Sequence, residues 1–403
     1  MLSKETIAYS RKLAPIILML DEQYTLETGE TDGLVVQRLP TAEVIKPAKF
    51  ESYDHTRETL RQLKAEAAEL PEPDRRMYYD QMCGSLLGFI DWRVRDLPFT
   101  EQIPQFIHVP ARPASDEELD TLRGKMRETL TRMGYSGDLA KQCADWEAKV
   151  RVPADEVPGV LEHLMNEAWD RAEQYLFKIP AEKSDRMRVI PVSGVPFNAM
   201  CNYAERRVHL NVDPVLTRPG LKHLTVHEGI PGHYLQFKMR ETGLLAGEGA
   251  LDGSLSVVNT AGASVFEGIA DNGLRMLNWF DSDDDIVQSL MNRYRAGIGT
   301  GAAWRLHALH WEPEKVADWL RSQSLVGGEG WIANRMAFIS APARAVLIWS
   351  YWWGEAVVAP IWEGIPSAQR PGFLKFMYDR VHSNESIAMY TPGRKEESGI
   401  DFV

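Results

Sequence analysis

The chain has 403 residues, 44% hydrophobic and 25% charged, the balance of a globular protein with a substantial core. Its 45 lysines and arginines against 57 aspartates and glutamates leave a net charge of −12, which argues against nucleic acid and anionic membrane as partners. Three cysteines, Cys83, Cys143 and Cys201, far apart and odd in number, point to no disulfide framework and no cysteine-built zinc site, and they fit a reducing cytoplasm.

Residues 3–25 read as a helix capped by Ser3, with a kink or early break at Pro15. The apolar run inside it lacks a small-residue cleavage site and is taken as part of that helix. Residues 51–70 and 73–94 repeat apolar positions at helical spacing on either side of a Pro-Glu-Pro stop, and Leu86, Leu87, Phe89, Ile90 and Trp92 form a packing stripe. Four prolines, Pro98, Pro104, Pro110 and Pro113, mark 97–114 as an extended connector. A helix begins at Ser115, with Glu118 placed to reach back to it, and further helices follow at 137–151 and 154–178. Residues 1–185 thus read as an N-terminal helical lobe.

Near residue 186 the pattern changes, and 187–192 and 207–212 read as short strands rich in β-branched residues. The second strand lies just ahead of a histidine-bearing helix, where an exposed edge would pair with an extended substrate. Asn211, at its end, is a candidate substrate contact; its other reading is a turn-forming residue before Asp213-Pro214.

Thr217-Arg218-Pro219 opens that helix, with proline in the first turn. It leads through Leu221 to Gln236, L-K-H-L-T-V-H-E-G-I-P-G-H-Y-L-Q. A histidine followed by a glutamate, with a second histidine shortly after, is a common way to hold zinc and activate a water on it. Here His233 follows His227 by six residues, and six steps of roughly 100° turn it away from the His227 face of a regular helix. Pro231 has no N–H for the carbonyl of His227, and Gly232 tolerates unusual backbone angles, so the pair should bulge or break the helix and swing His233 back. His227 and His233 then bind zinc with Glu228 beside it. His223 and His227, four apart, offer a second placing of the ion.

The string HEGIPGHYLQ resembles the signature of the bacterial family known as domain of unknown function 885, grouped with zincin-like metallopeptidases. Phe266-Glu267-Gly268-Ile269-Ala270 is similar to its E-G-W-A segment, with Ile269 in place of tryptophan. Arg293-Tyr294-Arg295-Ala296 matches R-Y-R-A, Leu306 to Trp311 resembles L-H-A-x-G-W, and Ser350-Tyr351-Trp352-Trp353-Gly354 matches S-Y-x-x-G. The acidic position a few residues before the L-H-A segment is not acidic here. The matching run covers roughly residues 190–360, and the first half carries none of these motifs.

Residues 241–253 carry four glycines and read as a loop, and 255–280 read as the next helix. The resemblance makes Glu267, 34 residues after His233, the third metal ligand, leaving one position open for water. Asp271, one turn on, suits a carboxylate holding a ligand imidazole by its other N–H. Asp281 to Asp285 read as a helix start. Helices follow at 287–310 and 313–321, then one or two apolar helices over 330–362, and the tail from Thr391 opens on a Thr-Pro-Gly turn. The most apolar stretch, Ala345 to Gly354, is half of what a membrane span needs. Tyr351 and His307 are candidates for the donor that meets negative charge developing on an attacked carbonyl. Arg295 and Arg344 are candidates to bind a substrate carboxylate.

The expected fold is mainly α-helical and zincin-like, with a small sheet beside the zinc helix, a lobe over 1–185 and a catalytic region over 186–403. The expected activity is zinc-dependent hydrolysis of a peptide or amide bond, carboxypeptidase- or dipeptidase-like, with Glu228 as general base and the oligomeric state open. The alternatives are an amide hydrolase of a small metabolite, a metal-binding protein without catalysis, and an iron(II) enzyme using the same two histidines and carboxylate.

Overall fold

Side-chain oxygens set where several helices begin. Ser3 accepts from the N–H of Thr6 at 3.1 Å and opens α1 (Lys4–Thr28), and Ser52 caps α2 (Tyr53–Ala67) in the same way. Proline begins α3 (Pro73–Arg95). Ser115 and Glu118 make the expected reciprocal cap at the start of α5 (Asp116–Arg132), which α4 (Phe99–Ile107) precedes. Asp138 caps α6 (Leu139–Val150), and α7 (Val157–Tyr175) follows. The computed structural model describes residues 2–391 apart from 31–32, 183–184 and 196. The turn and tail expected beyond Thr391 lie outside the described residues.

Two expectations for this half change. α1 runs through Pro15 without a break, and the carbonyl of Pro15 accepts from the N–H of Ala48 at 3.0 Å. The connector at 97–114 contains α4, because Phe99, Ile103, Phe106 and Ile107 fall on one helical face and all are buried. That burial outweighs the backbone bond lost at Pro104.

The second half begins with β2 (Arg188–Val192), β3 (Ala199–Asn202) and β4 (Arg207–Asn211), arranged β2-β4-β3. β2 runs parallel to β4 and β3 antiparallel to it. β4, expected at the edge, is therefore central: β3, a strand the sequence pattern did not reveal, covers it on the side facing the histidine-bearing helix. The rest is α8 (Arg218–Leu224), a π-helical turn at Thr225–Gly229, α9 (His233–Leu245), β5 (Leu255–Val257), α10 (Ala263–Asp271), α11 (Gly273–Met276), α12 (Asp283–Ala303), α13 (Pro313–Gln323), α14 (Gly328–Ser340), α15 (Ile348–Gly364), α16 (Arg370–Tyr378) and α17 (Asn384–Ile387). The single helix expected over 255–280 is thus β5 followed by two helices. Leu255–Val257 pairs antiparallel with β1 (Val35–Arg38), and Asn259, at φ 53°, turns the chain out of the strand while its amide donates to the carbonyl of Ala343.

Three apolar clusters form the core, and each takes residues from both sides of residue 185. One joins α7, the three-stranded sheet and the histidine-bearing helix; a second joins α4–α6 with α12–α15; a third joins α1–α3 with Leu255 and Ala343. The molecule is mainly helical, with two small sheets among the described residues. Among the described residues no helix is long and apolar enough to cross a membrane.

Candidate metal centre

Thr217 accepts from the N–H of Gly220 and starts α8, with Pro219 in its first turn. The helix widens at Thr225–Gly229, becomes extended at Ile230 (φ −120°, ψ 125°) and restarts as α9 at His233. The bulge and break fall where Pro231 and Gly232 place them. Gly232 is needed for close approach: a Cβ there would stand 1.9 Å from the carbonyl oxygen of His227 and 2.5 Å from that of Val226. Its N–H closes the widened turn by donating to Val226 at 2.9 Å, and Tyr378 donates its hydroxyl to the carbonyl of Pro231 at 2.7 Å.

The break returns His233 to His227, and their ring centroids lie 4.6 Å apart at 76°. His233 stacks flat on Phe266, 4.2 Å away at 8°. The next residue, Glu267 on α10, directs Oε2 to 3.3 Å from Nε2 of His227 and 3.6 Å from Nε2 of His233. One ligand atom from each of the three buried side chains lies within 4.8 Å of the others.

These distances test whether the three residues fit a metal. A ring N–H donating to a carboxylate stands ~2.7–2.9 Å from it, whereas two donors ~2.0–2.1 Å from one tetrahedral zinc stand roughly 3.3 Å apart. The observed 3.3 and 3.6 Å match the second geometry. Glu267 Oε2 and His233 Nδ1 are buried without a hydrogen-bond partner, and such atoms in a folded interior call for an explanation. A cation among the two imidazoles and the carboxylate accounts for the oxygen, so the residues present fit zinc.

The Nδ1–H of His227 donates to Asp271 Oδ1 at 2.9 Å, and Nε2 of His223 lies 3.4 Å from the same oxygen. His223, His227 and Asp271 form a second cluster of ligand types, but its 2.9 Å contact is already a hydrogen bond, which turns Nε2 of His227 toward Glu267 and His233. Burial by itself would lower the His227 pKa; the Asp271 carboxylate outweighs it and holds the ring well above its ordinary value. Burial likewise raises Asp271 and Glu267, and the facing histidines reverse both, leaving Asp271 well below the carboxylate range and Glu267 lowered. Both carboxylates stay ionised, as a cation site needs, and a bound cation would displace the second proton of the His227 ring.

Glu228 is buried at the sheet, where its Oε2 accepts from the backbone N–H of Cys201 in β3 at 2.8 Å. The same residue's carbonyl accepts from the Gln37 amide at 2.8 Å, so the side chain of Gln37 pairs with the β3 edge as a neighbouring strand would. Cys201 shows which residues of β3 turn their backbone outward; Ala199, two positions earlier, turns the same way and lines a cleft enclosing about 220 Å³ together with His227, Glu228, Asp271 and Tyr351. The ring of Tyr351 lies 6.3 Å from that of His227. Burial first, then the carboxylates of Glu267, Asp271 and Glu228, push its hydroxyl well above the usual phenol range, so it remains a donor.

Other expected site residues lie elsewhere or are engaged. His307 does not line this cleft: its Nε2 sits 2.7 Å from the carbonyl of Ile339 and its ring packs 4.8 Å from Phe99. Asn211 is not open to substrate, because its amide donates to Val195 and Phe197 and accepts from Asp213; the turn-forming reading holds. Arg344 precedes α15 with its guanidinium 5.8 Å from Phe338, outside the cleft lining. Arg295 lines the cleft but donates to the carbonyl of Val326 at 3.0 Å. The sequence reading passed over Arg335, which also lines the cleft. Its signal was present: Trp331, Arg335 and Phe338 fall four and three residues apart, one face of an apolar helix carrying a charge.

No family model matches the chain, and no curated protein matches it. Among solved structures, it resembles a candidate lipoprotein from Colwellia psychrerythraea at a TM-score of 0.54 and 14% identity, covering 86% of this chain and 64% of that one. It also resembles a candidate lipoprotein of unknown function from Shewanella oneidensis at a TM-score of 0.50 and 12% identity, over 83% and 72% of the two chains. The chain thus spans just under two thirds of the length of the first. At these identities the likeness is one of fold alone.

Proposed function

We propose that this protein is a zinc-dependent hydrolase of peptide or amide bonds, related to the zincin-like family whose signature its HEGIPGH string resembles. The observation that carries the reading is the set His227, His233 and Glu267 at 3.3 and 3.6 Å, with Glu228 next in sequence to His227 and lining the same cleft as that histidine. Zinc held by those three residues would supply an activated water, its pKa lowered toward ~7, and a Lewis acid for the carbonyl.

The chain's own groups do the rest. Glu228 takes the proton of the attacking water on its carboxylate and later delivers it to the leaving amine; the Cys201 N–H fixes its orientation. Ala199, at the β3 edge, offers outward-turned backbone groups to an extended substrate beside Glu228. Tyr351 donates its hydroxyl to the oxygen on which charge develops. Asp271 holds His227 in the tautomer that presents Nε2. A cytoplasmic setting belongs to this reading, supported by three cysteines that are all free and buried.

Two measurements on the purified chain test the proposal. Zinc content should approach one ion per chain and fall after substitution of His227, His233 or Glu267. Glu228→Gln should keep the metal and the melting temperature while losing hydrolysis of a peptide and N-acyl amino acid panel by roughly 10²–10⁴-fold. A protein that holds no metal, or a Glu228→Gln variant as active as the parent, counts against it.

A further inference from the structure

Arg335 stands out among the cations of the cleft. Its guanidinium lies between two rings, 5.7 Å from Trp331 and 5.6 Å from Phe338, and its Nε is buried without a hydrogen-bond partner. Among the described residues no carboxylate pairs with it. The reason is visible in the acids that line the cleft, each of which is engaged elsewhere. Glu228 accepts from Cys201, Asp271 from His227, Glu355 lies 3.7 Å from Arg293, and Glu147 faces Arg295 and the Gly327 N–H.

Arg335 is half-buried, with its Nε shut off from solvent; a guanidinium in that position without an anion is an unfavourable arrangement, and a planar carboxylate satisfies it through two parallel N–H···O bonds. Arg295, 5.3 Å from the same Trp331 ring, adds positive potential but is tethered to Val326, so Arg335 is the cation left to bind an anion. The site is close to the chemistry. Phe338, against which Arg335 packs, lies 6.4 Å from Tyr351, and Tyr351 lies 6.3 Å from His227.

We propose that Arg335 binds the terminal carboxylate of the substrate, making the preferred substrates short peptides or N-acyl amino acids with a free C-terminus, cleaved near that end. This rests on the hydrolase reading above.

The test uses the full-length zinc-loaded protein, a panel of N-acetyl dipeptides with free carboxylates, and the same panel as C-terminal amides. Hydrolysis is followed on the parent chain, and binding is followed by calorimetry on Glu228→Gln. Acids should bind and react better than amides by on the order of a hundredfold. Arg335→Ala and Arg335→Lys should raise KM for the acids by a similar factor, change kcat less, and abolish the acid-over-amide preference; the lysine variant covers the case in which alanine does not fold. Equal handling of acids and amides, a preference that survives in folded Arg335 variants, or absence of binding by the whole panel overturns the proposal. Acid-selective, Arg335-dependent binding without hydrolysis leaves it standing and removes the hydrolase reading. Hydrolysis without acid preference does the reverse.

Discussion

Gly268 and Gly354 meet where α10 crosses α15. A Cβ on Gly268 would stand 2.3 Å from the carbonyl oxygen of Gly354, and one on Gly354 would stand 2.0 Å from that of Ser264. Each glycine is three residues or fewer from a proposed site residue, Glu267 beside the first and Tyr351 before the second, so their contact sets the separation of the proposed metal ligand from the proposed oxyanion donor. Both obstructing atoms are backbone and cannot rotate aside. Gly354→Ala should therefore push the helices apart, cost ~1–3 kcal/mol or more, and weaken zinc retention. Thermal melting and bound-metal analysis check both; a variant that matches the parent in each would mean that the packing tolerates the methyl.

Asp271→Asn keeps the shape of the side chain and removes the charge that orients His227. Zinc affinity should fall about 10- to 100-fold, with the fold retained. Competition with a chelator of known affinity measures it. An unchanged affinity would show that the 2.9 Å contact has no part in holding the metal.

Tyr351 and His307 entered as equal candidates, and the structure separates them. Tyr351→Phe should lower kcat by on the order of 10²-fold with little change in KM. His307→Gln should leave kcat alone and lower stability by about 1 kcal/mol, the usual cost of a weakened buried hydrogen bond. Steady-state kinetics beside urea unfolding distinguishes the two; a kinetic defect confined to His307→Gln would reverse the assignment.

His382 makes stability depend on pH. Its Nε2 lies 2.8 Å from the carbonyl of Phe376 and its Nδ1 3.3 Å from the guanidinium of Arg75, so the neutral ring donates at one nitrogen and accepts at the other. Burial, then Arg75, holds its pKa well below the ordinary histidine value. Below about pH 6.5 the unfolded chain takes up a proton that the folded chain refuses. The contribution is thus complete above that pH and declines as the pH falls, by up to about 1.4 kcal/mol per unit. Denaturant unfolding at pH 7, 6 and 5 should show a shallower decline for His382→Gln than for the parent; parallel curves would exclude this role.

Much of the local structure was legible in the sequence because its causes act within a few residues. Ser115 with Glu118 makes a cap wherever the helix ends up, and Pro231 cannot donate to the carbonyl of His227 in any fold. The bulge that returns His233 to His227 follows from that chemistry. Strand β3 was hidden because its four residues have little alternation of their own and pair only once β4 is in place. Helix α4 was hidden by Pro104, whose local preference was outweighed by buried Phe99, Ile103, Phe106 and Ile107.

The identities of the candidate metal-site side chains, and the break that brings two of them together, were therefore set by the chain's own chemistry. Whether a polar side chain faces the cleft or the packed interior was decided by tertiary structure alone. His307 looked as available as Tyr351 and Arg344 as available as Arg295. Contacts between distant elements, such as the carbonyl of Ile339 against His307 or the glycine crossing of α10 with α15, fix those directions, and they depend on long-range packing that no window of neighbouring residues encodes.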